Sequence, residues 1–263
     1  MENKYRIIDT HTHIFPEKIS EKAVENIGSY YNLPMSGKGT TMDLLESGEK
    51  IGVEKYVVHS SATRAEQVAC INDYVYEEVK KHDNLIGFGT LHPDMKNPEA
   101  EVQRIIALGI KGIKLHPEFQ KFRIDDASAL RIYAAFEGKL PLLIHIGDEN
   151  SDFSSPQRLA NIIQQFPNLT IIAAHFGGYQ MWKDSWKYLV GKNIYMDTSS
   201  SLKFLEPGEA VNMIRSHGIQ KFLFGSDYPM WEHEEELTRF LRLNLTDQER
   251  EAILYSNAAR LLF

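Results

Sequence analysis

A chain of 263 residues, 43% hydrophobic, with a net charge of −7 and no Lys/Arg block, is long enough for one large domain and unsuited to nucleic acid or an anionic membrane as partner. Its single cysteine, Cys70, excludes an intrachain disulfide, and its place between Val68 and Ile71 predicts a helix in which the thiol is buried and inert. No run approaches the ~18 apolar residues of a membrane span, and Asp9, His11 and His13 interrupt any apolar secretory core, so a cytoplasmic protein is expected.

The first predicted strand lies in Tyr5–Phe15, where Tyr5, Ile7 and Ile8 lead into Asp9-Thr10-His11-Thr12-His13. Side chains alternate along a strand, so Asp9, His11 and His13 share one face. Two imidazoles at this spacing can converge on one ion, whereas a lone histidine would read as a satisfied core residue. In the polar segment 16–41, Ile19, Ala23, Val24 and Ile27 mark one helix face ended by Gly28. Gly37-Lys38-Gly39 is too short for a phosphate-binding loop and reads as a plain loop or lid. Thr41 suits the N-cap of a helix to Lys50, closed by Gly52.

From there one unit repeats, a short apolar strand followed by a helical pattern. Strands are predicted at 55–60, 85–91, 110–115, 140–146, 169–174, 193–197 and 222–224. Helices are predicted at 65–82, 98–108, 126–136, 156–166, 180–190, 208–217, 234–243 and 246–254, with a short one from Asn257. Eight strands, apolar on both faces and alternating with helices, indicate a parallel sheet with helices outside: an α/β chain forming a (β/α)8 TIM barrel, with a doubly wound open sheet as the alternative. No Pro/Ser-rich linker divides residues 1–263, which are read as a single domain.

Seven of the ten histidines fall at the C-terminal ends of predicted strands: His11, His13, His59, His92, His116, His145 and His175. That end of such a barrel carries the active site, assembled from different strands. Taken alone, His145 could be a satisfied buried histidine and Asp227, in FGSDYP, a helix cap; the argument rests on their joint placement.

The DTHTH start, the histidine ending the fifth strand, His175-Phe176-Gly177-Gly178 ending the sixth, and Gly225-Ser226-Asp227-Tyr228-Pro229 ending the eighth resemble the amidohydrolase superfamily. Lys114-Leu115-His116-Pro117 and the late Asn257-Ala258-Ala259-Arg260-Leu261-Leu262 resemble its branch of aminocarboxymuconate semialdehyde decarboxylase and related small metal-dependent hydrolases. The resemblance covers essentially the whole chain. It implies one divalent ion held by His11, His13, His145 and Asp227, with His175 as the catalytic histidine and Asp227 sharing in proton transfer. Such a ligand set suits Zn2+ first, with Mn2+, Fe2+ or Co2+ also able to occupy it. Asp9 supports the two histidines or is a buried structural carboxylate. Lys114 stands where binuclear relatives carry a carboxylated lysine; the Leu-His-Pro that follows it favours one metal.

Lys114, His116, His59 and Arg64 are candidate substrate-binding residues, Arg64 having the alternative of a solvated charge at a helix start. His92 could also line the pocket, and Tyr228 and Trp231 form either its wall or the packing of the rim. The expected activity is hydrolysis of an amide, ester or lactone of a small molecule by a metal-activated water. The alternative is a lyase, a non-oxidative decarboxylase of an unsaturated or aromatic acid; a barrel that keeps its metal only as a staple is the third reading. Trp182 and Trp186, spaced i, i+4, belong to a homodimer interface or pack on the barrel.

Overall fold

The short apolar runs of the sequence become the strands β1 (Ile7–His13), β2 (Val53–His59), β3 (Leu85–Gly89), β4 (Gly112–Leu115), β5 (Leu142–Ile144), β6 (Ile171–Ala173), β7 (Tyr195–Asp197) and β8 (Phe222–Leu223). The computed structural model describes Lys4–Phe263; residues 1–3, part of the expected domain, lie outside the described residues. The strands form one sheet in the order β1-β2-β3-β4-β5-β6-β7-β8, the (β/α)8 TIM barrel that the alternation implies. Pairing is parallel, with Phe88 opposite Gly112, Lys114 opposite Leu143, Leu142 opposite Ile171 and Ile172 opposite Tyr195. β3 to β6 are buried along their whole length, as strands covered on both faces must be. Backbone bonds tie β1 to the segment after β8: the Thr10 N–H donates to the Phe224 carbonyl (2.9 Å), His13 to Tyr228 (2.7 Å) and Asp227 to His11 (2.9 Å).

The residues pack as two units. One holds the residues up to Val58, His82–Leu85 and Thr198–Phe263; its buried core includes Ile7, Ile8, Val57, Phe222, Phe240 and Ile253. The other holds His59–Lys81 and Ile86–Asp197, with Phe88, Ile113, Phe136, Leu143, Leu159 and Ile172 in its core.

Several expectations need correction. Cys70 is exposed, not buried. The helix Val68–Lys81 buries Val68, Asn72 and Val75, and a residue two positions past Val68 lies about 200° round the helix from it. The helix expected to end at Gly28 runs from Glu17 to Tyr31 and stops at Asn32, whose left-handed backbone (φ 51°) returns its N–H to the Gly28 carbonyl. Gly28 answers a close approach instead, since a Cβ there would lie 2.9 Å from the Leu33 carbonyl oxygen. Ile19, placed on the inner face by its spacing, is 47% exposed. Thr40, not Thr41, caps the next helix, accepting the Asp43 N–H (3.3 Å). Among the described residues no helix is long and apolar enough to cross a membrane.

Candidate metal centre

In the first unit, β1 puts His11 and His13 on one face, and the turn after β8 brings Asp227 to them. One oxygen of Asp227, Oδ1, lies 3.2 Å from His11 Nε2 and 3.3 Å from His13 Nε2. The other sides of His11 and Asp227 are held in place. His11 Nδ1 meets the Ser199 hydroxyl at 3.1 Å, and Asp227 Oδ2 accepts the Ser200 hydroxyl, which itself accepts the Trp231 indole N–H (2.9 Å). Asp227 (φ 62°) and Ser200 (φ 49°) both adopt left-handed backbone, which is uncommon for residues other than glycine.

Asp9 is fully buried, and its Oδ1 accepts the backbone N–H groups of His11 (3.0 Å) and Ser226 (3.1 Å). Glu236 lies close by, its carboxyl pushed up to about 8 by burial; Arg239 opposes the shift, and the charges of Asp227 and Asp9 add to it. Two imidazoles converging on one carboxylate oxygen, amid further buried carboxyls, are a donor set and a charge that fit a divalent cation.

In the second unit, His145 directly follows β5 and His175 lies two residues past the end of β6. His145 Nδ1 lies 3.0 Å from His175 Nε2, while its Nε2 meets the Gly147 carbonyl at 2.8 Å. That carbonyl accepts only a protonated Nε2, which leaves Nδ1 with a lone pair in the neutral ring, the state a metal ligand needs. His175 sits in left-handed backbone (φ 61°, ψ 51°), followed by Phe176 in the same region. Its N–H donates to Asp197 Oδ1 (2.9 Å) and its carbonyl accepts the Trp182 indole N–H (3.1 Å).

The His116 ring stacks on His145, with centroids 4.1 Å apart, and on Phe119 at 4.0 Å. Glu118 is buried beside them, with Oε2 3.6 Å from His116 Nδ1 and 3.8 Å from His145 Nε2. Burial pushes its carboxyl up to about 7 and the charge of Asp148 adds to this, against hydrogen bonds from Ser154 and Ser151. Lys114, His59 and His92 are buried, whereas Arg64 is exposed beside the short 3-10 turn Ala65–Gln67.

The structure thus brings together His11, His13 and Asp227 in one unit, and His145, His175 and His116 in the other. Sequence reasoning missed Glu118, Asp197, Ser199, Ser200 and His233. Glu118 directly follows the Lys-Leu-His-Pro signature, so its position in the sequence was the available signal.

The Gly147 turn is a point of high demand. Its φ is +89°, and a Cβ there would lie 2.5 Å from the Tyr179 nitrogen and 2.6 Å from the Gly178 carbonyl carbon. Gly147→Ala is expected to cost about 3 kcal/mol of stability, measured by urea unfolding, and to loosen the carbonyl that orients His145.

Histidines and carboxylates gathered at the strand ends of a parallel (β/α)8 barrel define the class of metal-dependent barrel enzymes. Residues 8–263 match the amidohydrolase family model, and the chain belongs to that family. Comparison with curated proteins finds no match. Among solved structures, an uncharacterized TIM-barrel protein from Bordetella bronchiseptica is similar over 98% of each chain (19% identity, TM-score 0.79). The 5-carboxyvanillate decarboxylase of Novosphingobium aromaticivorans, with bound manganese, is similar over 100% of this chain and 99% of its own (15% identity, TM-score 0.76). A probable 2-pyrone-4,6-dicarboxylic acid hydrolase from Acinetobacter baumannii is similar over 98% and 99% (17% identity, TM-score 0.71). At these identities the likeness is one of fold.

Proposed function

We propose that the protein is a metal-dependent, non-oxidative decarboxylase of a small aromatic or otherwise unsaturated carboxylic acid. This puts forward the reading that the sequence ranked second. The observation that carries it is the cluster in which one Asp227 oxygen faces imidazole nitrogens of both His11 and His13. Membership of the amidohydrolase family and the fold shared with a decarboxylase support it.

His11, His13, His145 and Asp227 are the residues that would hold one divalent ion. Zinc suits three imidazoles and a carboxylate, and so does manganese, the ion bound in the decarboxylase of like fold. When bound, the ion supplies a Lewis acid that polarises a substrate oxygen. Lys114, His116 and His59 bind the substrate, the buried ammonium of Lys114 being suited to its carboxylate. The bond from the ring or alkene carbon to the carboxyl group breaks, carbon dioxide leaves, and the electron pair stays on the carbon. His175 delivers a proton there, its range suited to transfer near neutral pH. Arg64, exposed, reads as the solvated charge. Trp182 is engaged with the His175 carbonyl, which leaves the half-exposed Trp186 as the tryptophan available to a homodimer interface.

Hydrolysis of a lactone or amide is the second reading, favoured by the lactone-type hydrolase of like fold. The test is a panel of hydroxybenzoic acids, unsaturated acids, lactones and amides, offered to zinc- and manganese-loaded protein. Release of carbon dioxide from an acid, absent in metal-stripped protein, is the expected result. Ring opening or amide cleavage without carbon dioxide would establish the hydrolase instead.

A further inference from the structure

His233, which opens the helix His233–Leu241, takes no part in the ligand set above, yet it is fully buried in the unit that carries His11, His13 and Asp227. Its Nε2 lies 3.2 Å from Asp9 Oδ2. Asp9 in turn spends its other oxygen, Oδ1, on two backbone N–H groups, those of His11 and Ser226. One belongs to a proposed ligand on β1 and the other directly precedes the proposed ligand Asp227. The Asp9 carboxylate therefore bridges the two segments that must keep their spacing if His11, His13 and Asp227 are to share an ion.

What fixes the bridge is His233, and the ring is itself fixed from three sides. Its Nδ1 meets the Ser47 hydroxyl at 2.8 Å, and Ser47 also reaches Glu232 at 2.8 Å. The Tyr228 ring stacks on it, with centroids 5.6 Å apart and planes 27° from parallel. Tyr56 meets it edge-on at 5.9 Å. Neither Asp9 Oδ2 nor His233 Nε2 has an aligned hydrogen bond, so their 3.2 Å approach is the polar contact each offers the other; without the ring, the carboxylate oxygen in its low-dielectric interior would turn or draw in water.

We infer that His233 is a positioning residue for the metal centre: by packing its Nε2 edge against Asp9 Oδ2 it keeps Asp9 Oδ1 clamped on His11 and Ser226. The inference deepens the proposed function and rests on the metal reading for its consequence, though the clamp itself is a property of the metal-free chain.

The test compares the parent protein with His233→Leu, which removes the polar edge of the ring, and His233→Gln, whose amide can still reach Asp9. Ser47→Ala, which frees the ring without removing it, gives a milder perturbation should His233→Leu fold poorly. Amide hydrogen exchange on metal-free protein is read at His11 and Ser226, with Leu143 and Ile172 as controls in other strands. Metal loss to a chelator is read on loaded protein. Exchange at His11 and Ser226 is expected to quicken in His233→Leu and, to a smaller degree, in Ser47→Ala, with the controls unmoved. Metal loss is expected to be roughly tenfold faster in His233→Leu and close to the parent in His233→Gln. Unchanged exchange at His11 and Ser226, or equal loss of metal from the Leu and Gln variants, would overturn the inference. A parent that takes up no metal would sink the metal reading alone, and the exchange data would still decide whether His233 holds the clamp.

Discussion

Asp227→Asn is expected to remove stable metal binding, and activity with it, while the barrel stays folded. The substitution keeps nearly every contact. The amide oxygen can stand where Oδ1 faces His11 and His13, and the amide nitrogen can turn to the Ser200 oxygen. The displaced Ser200 proton retains the Met230 sulfur, 3.4 Å away, as an acceptor. Asparagine also tolerates the left-handed backbone that Asp227 adopts (φ 62°) better than almost any other side chain. What disappears is one negative charge at the centre of the ligand set.

That charge matters because the site is buried, where an ion is poorly screened and a neutral amide is a weak ligand for a divalent cation. Loss of an outer contact to a metal site already costs ~10- to 100-fold in affinity, so loss of the only charged ligand should cost on the order of 100-fold or more. Elemental analysis after desalting should give about one equivalent of metal in the parent and a small fraction of that in the variant. Excess metal in the assay should restore part of the activity by mass action. Thermal unfolding of the two metal-free proteins should agree within a few degrees. A full equivalent of metal retained by Asp227→Asn would remove Asp227 from the ligand set.

The parts of this site that the sequence made legible were those with a period. Alternation placed Asp9, His11 and His13 on one face of β1, and apolar runs recurring roughly every 25 to 30 residues from the second strand on completed eight strands for a barrel of this length. Helix existence was legible, and ends such as those of Pro98–Ala107, Pro156–Gln165 and Pro207–His217 fell close to their expected places, but the end of the first helix did not, because a Gly inside a helix and a Gly after one look alike locally, as Gly28 illustrates. The supporting contacts had no periodic signal at all. Glu118 lies in the four-residue helix Pro117–Gln120, too short to show a repeat, and Asp197 and Ser199 reach their histidines only through tertiary packing. His233 looked like a histidine at a helix end, and only its distance to Asp9 gives it a role. The left-handed turn at His175 and Phe176 ran against local preference, since neither residue invites positive φ as Gly does; an Asp197 acceptor and a Trp182 donor hold it in place.

That turn decides the form of the second large effect, which is expected from His175→Asn. The residue must be replaced without releasing the backbone, and asparagine is the choice that left-handed φ recommends. It keeps the N–H to Asp197 and the carbonyl to Trp182, which belong to the main chain, and removes only the imidazole. The His145 and His175 rings stand 3.0 Å apart through Nδ1 and Nε2, so geometry alone gives both of them access to one ion or one proton. The proposed division of labour gives His145 to the metal and His175 to the proton. On that division His175→Asn should lower kcat by about 100- to 10,000-fold, the usual worth of a positioned acid or base. Metal content should stay near one equivalent and KM should change little. His145→Asn should instead lose the metal. If His175→Asn loses metal together with activity, His175 is a ligand, and the proton must come from elsewhere. Glu118 is then the next group to test, since burial already holds its carboxyl near 7, within 4 Å of the His145 ring.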